Sequence, residues 1–295
     1  METGPERRAH NRNLVMESLQ ADLFTMATAL LVVLAVGILV RLGLPAAALL
    51  ARQGPVTVLA GRVWDPVAGR YGLLPFLWGS AVVTAIALGV AVPLGGATAV
   101  TVTRILEPSW RGPARSLLTA FMAVPSVIYG WWGLGVVVPA VRALTGGPGF
   151  SLLAAGLTVG IMVLPTFALL AAEALAAVPD TWVQASLALG ATGDQTLLRL
   201  VLPAAGAGLR QALALATARA LGETLAVQMV VGGQTTFSWN PLHPGATLTS
   251  QILTDMVALP VGTPGHAALD VMAVVLLGLM WAAARAVGSR TPPPG

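Results

Sequence analysis

Residues 152–172 read LLAAGLTVGIMVLPTFALLAA, an apolar run without a single charged side chain. About 20 apolar residues wound as a helix cross the ~30 Å hydrocarbon core of a bilayer. A membrane β-strand needs only about ten residues with alternating polarity, and this run does not alternate. Five further stretches of the same kind flank it, at residues 23–44, 73–103, 117–141, 209–231 and 267–287. The pattern predicts an all-α, polytopic membrane bundle of six transmembrane helices. Composition agrees, with 56% hydrophobic and 9% charged residues in a chain of 295. A soluble domain carries about 25% charged residues, so a soluble enzyme, a disordered chain and a coiled coil are all excluded.

Pro93, Pro125 and Pro165 fall inside the second, third and fourth stretches and predict kinks. Such breaks are tolerated where neighbouring helices satisfy the freed backbone groups, which points to a packed bundle. The basic residues are all Arg, because the chain has no Lys. Arg7, Arg8, Arg12, Arg104, Arg111, Arg115, Arg199, Arg210, Arg285 and Arg290 fall on one side of the six-span topology. Arg52, Arg62, Arg70 and Arg142 fall on the other, with Arg41 near the boundary. Arg marks the cytoplasmic side, so both termini are expected inside. The net charge of +4 comes from scattered Arg without a basic stripe, which argues against nucleic acid. The absence of Cys excludes disulfides and thiolate chemistry. The first residues are polar and lead into a long span without a small-residue cleavage site, so that span reads as retained.

The divisions expected are a tail at 1–22, a first helix with an outer loop at 23–72, a core at 73–288 and a C-terminal tail at 289–295. Within the outer loop, Trp64 and Tyr71 suit interfacial anchors. Segment 180–203 of the inner loop reads as structure. Thr181 with Gln184, and Thr192 with Gln195, fit capping boxes. Gly190 lies between them, where a helix commonly ends in a left-handed residue, and Pro203 is expected to stop the second helix. An amphipathic connector lying on the bilayer is the plain alternative. Its polar face has almost no cations to meet anionic lipid, whereas Leu187, Leu189, Leu197 and Leu198 suit a groove on a protein partner.

Arg219 falls near the middle of stretch 209–231, and Glu223 follows four residues later, which puts both on one helix face within pairing reach. A charge at that depth costs about 2.5–3.5 kcal/mol on insertion scales. A buried ion pair that fixes packing is one reading. The other is an anion pathway, with the guanidinium fork offered to oxyanion oxygens, Glu223 holding Arg219, and Thr217 and Thr224 either adding hydroxyls or bonding their own helix backbone. Thr247, Thr249 and Ser250 suit the start of a short re-entrant helix whose N–H groups face an anion. Asp255 and Asp270 read as solvated or capping residues, and Trp131 and Trp132 as belt residues. His10, His243 and His266 lack ligand spacing, so no metal site is expected, and Ser126 lacks a His base. Without Lys there is no phosphate-binding P-loop, so ATP must be bound elsewhere.

Three groups of residues resemble a known family. The run Gln184-Ala185-Ser186, then Gly190, then Leu200-Val201-Leu202-Pro203 resembles the EAA loop of ABC importer permeases, with Gln184 where Glu is usual and Ser186 where the second Ala is usual. The string RALGETLAVQMVVGG at 219–233 resembles the fifth-helix motif of bacterial phosphate importer permeases of the PstC type. Val124-Pro125-Ser126-Val127-Ile128-Tyr129-Gly130, followed by Trp132-Gly133-Leu134 and Val138-Pro139, resembles their third helix. Gly245-Ala246-Thr247-Leu248-Thr249-Ser250 resembles the segment before their last helix.

The resemblance implies the type I importer permease fold, with Arg219 and Glu223 as the charged pair implicated in phosphate passage. It implies that Gln184, Ala185, Gly190, Leu200, Leu202 and Pro203 belong to the loop that seats in the ATPase. The partners implied are a PstA-like permease, two PstB-like ATP-binding subunits that hold the ATP, and a PstS-like extracytoplasmic phosphate-binding protein. The implied location is the bacterial plasma (inner) membrane, with no cofactor in this chain. A permease for molybdate, sulfate or phosphonate is the nearest alternative. An intramembrane enzyme using Glu223 as a base would need a second catalytic group, and the spans offer only Arg219. A passive anion channel would not need the docking loop.

Overall fold

The structure is a computed structural model describing residues 4–288, with side chains placed for residue 20 and residues 22–285. Tail 289–295 with Arg290, and the side chains of Arg7, Arg8, His10 and Arg12, lie outside the described residues. Among the described residues five helices are long and apolar enough to cross a membrane, or six if one bent pair is a single span.

Helix α1 runs unbroken over Gly4–Gln53, and its apolar spanning part is Asp22–Gln53, so the helix continues past the expected end of the stretch at 44. Pro45 lies inside it, where a proline removes one backbone bond without ending the helix outright. The outer segment is structured as well. Gly54, at φ +85, reverses the chain into α2 (Pro55–Ala60). A two-stranded antiparallel hairpin follows, β1 (Trp64–Asp65) and β2 (Arg70–Tyr71), pairing Trp64 with Tyr71 and Asp65 with Arg70. Trp64 and Tyr71 are buried rather than interfacial. The Trp64 ring packs edge-on to Phe76, and its indole N–H donates to Asp255 Oδ2 at 2.8 Å.

The centre of the molecule is α7 (Leu152–Ala176) against α3 (Leu74–Val100). Ser151 caps α7 by accepting from the Ala154 N–H. Gly156 and Gly160, one turn apart, face Ile86 and Val90 so closely that any Cβ would have to push them aside. Small residues of this kind let membrane helices approach and gain dispersion contact, in place of a hydrophobic force that lipid does not supply. Helix α3 runs on through a π-helical turn, Thr101–Ile105.

The third apolar stretch is two elements. Helix α4 (Pro108–Ala123) buries none of its residues. The chain breaks at Val124 and Pro125, and the span proper is Ser126–Thr145, made of α5 (Ser126–Trp132), a π turn (Gly133–Val137) and α6 (Val138–Thr145). That π turn ends just before Pro139, and another (Leu197–Val201) ends just before Pro203. A widened turn keeps the helix going where a proline ring would collide with the carbonyl four residues back.

After α7 come α8 (Asp180–Ala188), α9 (Gly193–Thr196), the π turn and α10 (Leu202–Ala204). Pro203 is the last residue but one of this run, which ends at Ala204. The run Gly193–Ala204 then bends by 68° into α11 (Gly206–Gly222). Helix α11 ends at Gly222, Glu223 is extended (φ −68, ψ 129), and α12 (Leu225–Val230) restarts the helix. Helix α13 (Leu248–Asp255) follows, and α14 (Pro264–Gly288) packs alongside α1 and α11. Asp270 on α14 is buried and paired with Arg41 of α1 at 3.7 Å, which corrects the expectation of a solvated or capping residue.

Candidate functional site

The break at Glu223 undoes the expected ion pair. Four-residue spacing brings two side chains together only if the helix continues between them, and here it stops at Gly222. Among the described residues the ion pairs are Arg41–Asp270, Arg70–Asp65 and Arg104–Asp180, and none joins Arg219 to Glu223. Instead the Glu223 carboxylate turns forward and accepts the Ala226 N–H at 3.0 Å, capping the start of α12. A carboxylate at that end also meets the positive pole of the helix.

Arg219 lies in the last turn of α11 and is half-buried. Its Nη1 donates to the hydroxyl of Thr166 at 2.8 Å. Thr166 is buried near the midpoint of α7, so the guanidinium is held at the middle of the bundle by a neutral oxygen. Guanidinium has five N–H donors, and this contact uses one. The Tyr129 hydroxyl donates to the Phe121 carbonyl at 2.9 Å. Thr166 escaped the sequence reading, where the available signal was a hydroxyl directly after Pro165 in an apolar run.

The other expected pathway residues gather round the break. The Thr217 hydroxyl donates to the Leu213 carbonyl at 2.7 Å, and that of Thr224 to the Gly222 carbonyl at 3.2 Å. Thr249 donates to the freed Glu223 carbonyl at 2.8 Å, joining α13 to the interruption. The expected short helix at Thr247 exists, and the N–H groups of Thr247, Leu248 and Ser250 have partners within the protein. Thr247 and Ser250 form a reciprocal cap, and the Leu248 N–H donates to Ser80 Oγ. Asp255 is occupied as well, since Gln251 and Trp64 both donate to it. Among the described residues no three His, Cys, Asp or Glu side chains gather as a metal site would require.

At the far end, loop 180–203 forms a helical hairpin. Gly190 turns it at φ +90 with open space where a Cβ would stand. The capping box of Thr192 and Gln195 is present. That of Thr181 and Gln184 is not, because α8 already starts at Asp180 behind Pro179, which leaves both residues inside the helix. Ser186 and Thr196 share a 2.9 Å hydrogen bond that ties the two arms together. Arg104 fastens the base, donating to the Leu175 carbonyl at 3.0 Å and pairing with Asp180 at 3.8 Å. Trp182, Leu187, Leu189 and Leu198 are exposed, while Leu197 is half-buried against the core. Of the remaining motif residues, Gln184, Ala185 and Pro203 are exposed and Leu200 and Leu202 half-buried.

A helical bundle with a guanidinium at its centre, a broken span beside it and an apolar hairpin at one end defines a multi-pass membrane transport component. The chain belongs to the family of binding-protein-dependent transport system inner membrane components, which it matches over residues 91–287. It is thus a permease subunit of an ABC importer. It is 37% identical over 227 residues to the probable ABC transporter permease protein YqgH of Bacillus subtilis, covering 76% of this chain and 73% of that one. It is 30% identical over 250 residues to the phosphate transport system permease protein PstC of Mesorhizobium japonicum, covering 77% and 76%. Among solved structures it is similar to an inward-facing form of the MetNI methionine ABC transporter. The TM-score is 0.55 at 22% identity, covering 75% of this chain and 95% of that one; this likeness bears on the fold alone.

Proposed function

We propose that the chain passes inorganic phosphate inward as one half of the pore of an ATP-driven importer. The observation that carries this reading is Arg219, a midspan guanidinium whose partner is the neutral Thr166 hydroxyl. An uncompensated fork of N–H donors suits the paired oxygens of an oxyanion. Similarity to proteins named as phosphate permeases supports the same substrate. Glu223, with Thr217 and Thr224, borders the passage, its negative charge limiting how long an anion stays.

The other half of the pore is a PstA-like permease, and a PstS-like binding protein delivers phosphate from outside. Two PstB-like subunits bind the ATP and seat the exposed apolar hairpin of loop 180–203 in a groove. Both termini then face the cytoplasm of a bacterium.

The test is uptake of labelled phosphate by the full complex in proteoliposomes, with molybdate, sulfate and phosphonate as competitors. Phosphate is expected to be carried in preference to the other three. Preferred transport of any of them would replace phosphate as the substrate. Arg219→Met is expected to leave an assembled complex that hydrolyses ATP and moves no phosphate.

A further inference from the structure

Helical threonines in this protein mostly return their hydroxyl to their own backbone. Thr98, Thr103, Thr158, Thr217 and Thr254 each donate to the carbonyl four residues back, the usual habit of Thr in a helix interior. Thr166 does otherwise, as its oxygen receives the Arg219 guanidinium from a neighbouring helix. We infer that Thr166 is the positioning residue of the passage, fixing the Arg219 fork in the orientation that receives the oxyanion. The inference rests on the pathway reading of Arg219.

The two partners differ in rigidity. Thr166 is 2% exposed on α7, the most buried of the spans. Pro165 precedes it, Phe167 behind it packs against Gly95 of α3, and Gly156 and Gly160 lock the same helix onto α3. A β-branched side chain there has little rotamer freedom. Arg219 is long, half-buried and set in the last turn before a break. A stiff acceptor thus holds a flexible donor, and the ordering cost is met before the anion arrives. The acceptor is also uncharged. A carboxylate in its place would form an ion pair and compete with every passing oxyanion. A hydroxyl takes one N–H and leaves the positive charge intact.

Thr166→Val keeps the shape and removes the oxygen. In the full complex, reconstituted with saturating phosphate-loaded binding protein, ATP hydrolysis should proceed while phosphate moved per ATP falls roughly tenfold, the loss expected of one hydrogen bond to a charged group. Thr166→Ser should restore the ratio, and Thr166→Glu should abolish transport in an assembled complex. A merely structural role would lower hydrolysis and transport together and leave their ratio unchanged. Copurification with the ATPase scores assembly first, and Thr166→Ala replaces the Val variant if that one does not assemble. An unchanged ratio in the hydroxyl-free variant overturns the inference. Arg219→Met, measured alongside, separates the two levels. Normal transport by that variant removes the pathway reading itself, whereas a silent Arg219→Met beside an unaffected Thr166→Val removes the positioning role alone.

Discussion

A double-mutant cycle on Arg219 and Glu223 separates two ways in which a membrane protein can hold an acid and a base four residues apart. In a buried ion pair, Glu223→Gln would strand the guanidinium and cost about 3–5 kcal/mol, and Arg219→Met on the same background would recover most of it. The geometry dictates another outcome. The carboxylate caps the six-residue α12 through the Ala226 N–H at 3.0 Å. Gln retains the acceptor oxygen and loses only the attraction of the charge to the helix end, about 0.3–1 kcal/mol. Glu223→Ala also loses the acceptor, a capping loss of about 1 kcal/mol. Arg219→Met acts on a different partner, Thr166, so its effect should add to that of Glu223→Gln within about 0.5 kcal/mol. SDS-titration unfolding of the four purified proteins, followed by far-UV circular dichroism, measures all corners of the cycle. A coupling energy above about 1.5 kcal/mol would mean that the two charges do meet, and the separation drawn here would be wrong.

Two further outcomes follow from backbone and charge. Gly190→Val forces a β-branched residue to φ +90, where the open surroundings leave backbone strain of at least about 1–2 kcal/mol as the whole cost. The complex should still copurify with its ATPase but move less phosphate per ATP, and wild-type uptake by this variant would refute the docking role of the hairpin. Arg41→Leu leaves the buried Asp270 without its cation and should destabilise the protein by about 1–3 kcal/mol, a moderate figure because Arg41 is half exposed. Adding Asp270→Asn should recover most of that loss in the same unfolding assay, and a loss that persists would show that the pair does not act as one.

Much of this was legible because it is local. The charge-free run beginning at Leu152 folds as a span behind its Ser151 cap, and Gly190 and the Thr192–Gln195 box mark the hairpin as their chemistry requires. The misreadings come from contacts between distant parts of the chain. Thr166 and Arg219 meet across 53 positions, and Trp64 and Asp255 across 191, so neither pairing leaves a periodic trace. Glu223 was misplaced for a different reason. Spacing arithmetic assumes an unbroken helix, and the segment after Gly222 carries no proline to announce the break. Its cause is tertiary, since Thr249 of α13 takes the carbonyl that the next turn of helix would have used. The outer hairpin was hidden likewise, because Trp64 and Tyr71 look like interfacial aromatics until Phe76 and Asp255 close over them.

The 68° bend between Gly193–Ala204 and α11 makes a crank of the inner half of the molecule. One arm starts beside Gly190 and is about 18 Å long at 1.5 Å per residue; the other ends at Gly222, with Arg219 in its last turn. The elbow is pinned where Gly208 presses on Ala174 of α7. Tilting the first arm by about 10° sweeps its tip through roughly 3 Å at that length and turns the second arm about the same elbow. Thr166 stands on α7, which does not belong to the crank. On the proposed docking of the hairpin, a displacement there would be felt as a change in the reach between Arg219 and Thr166.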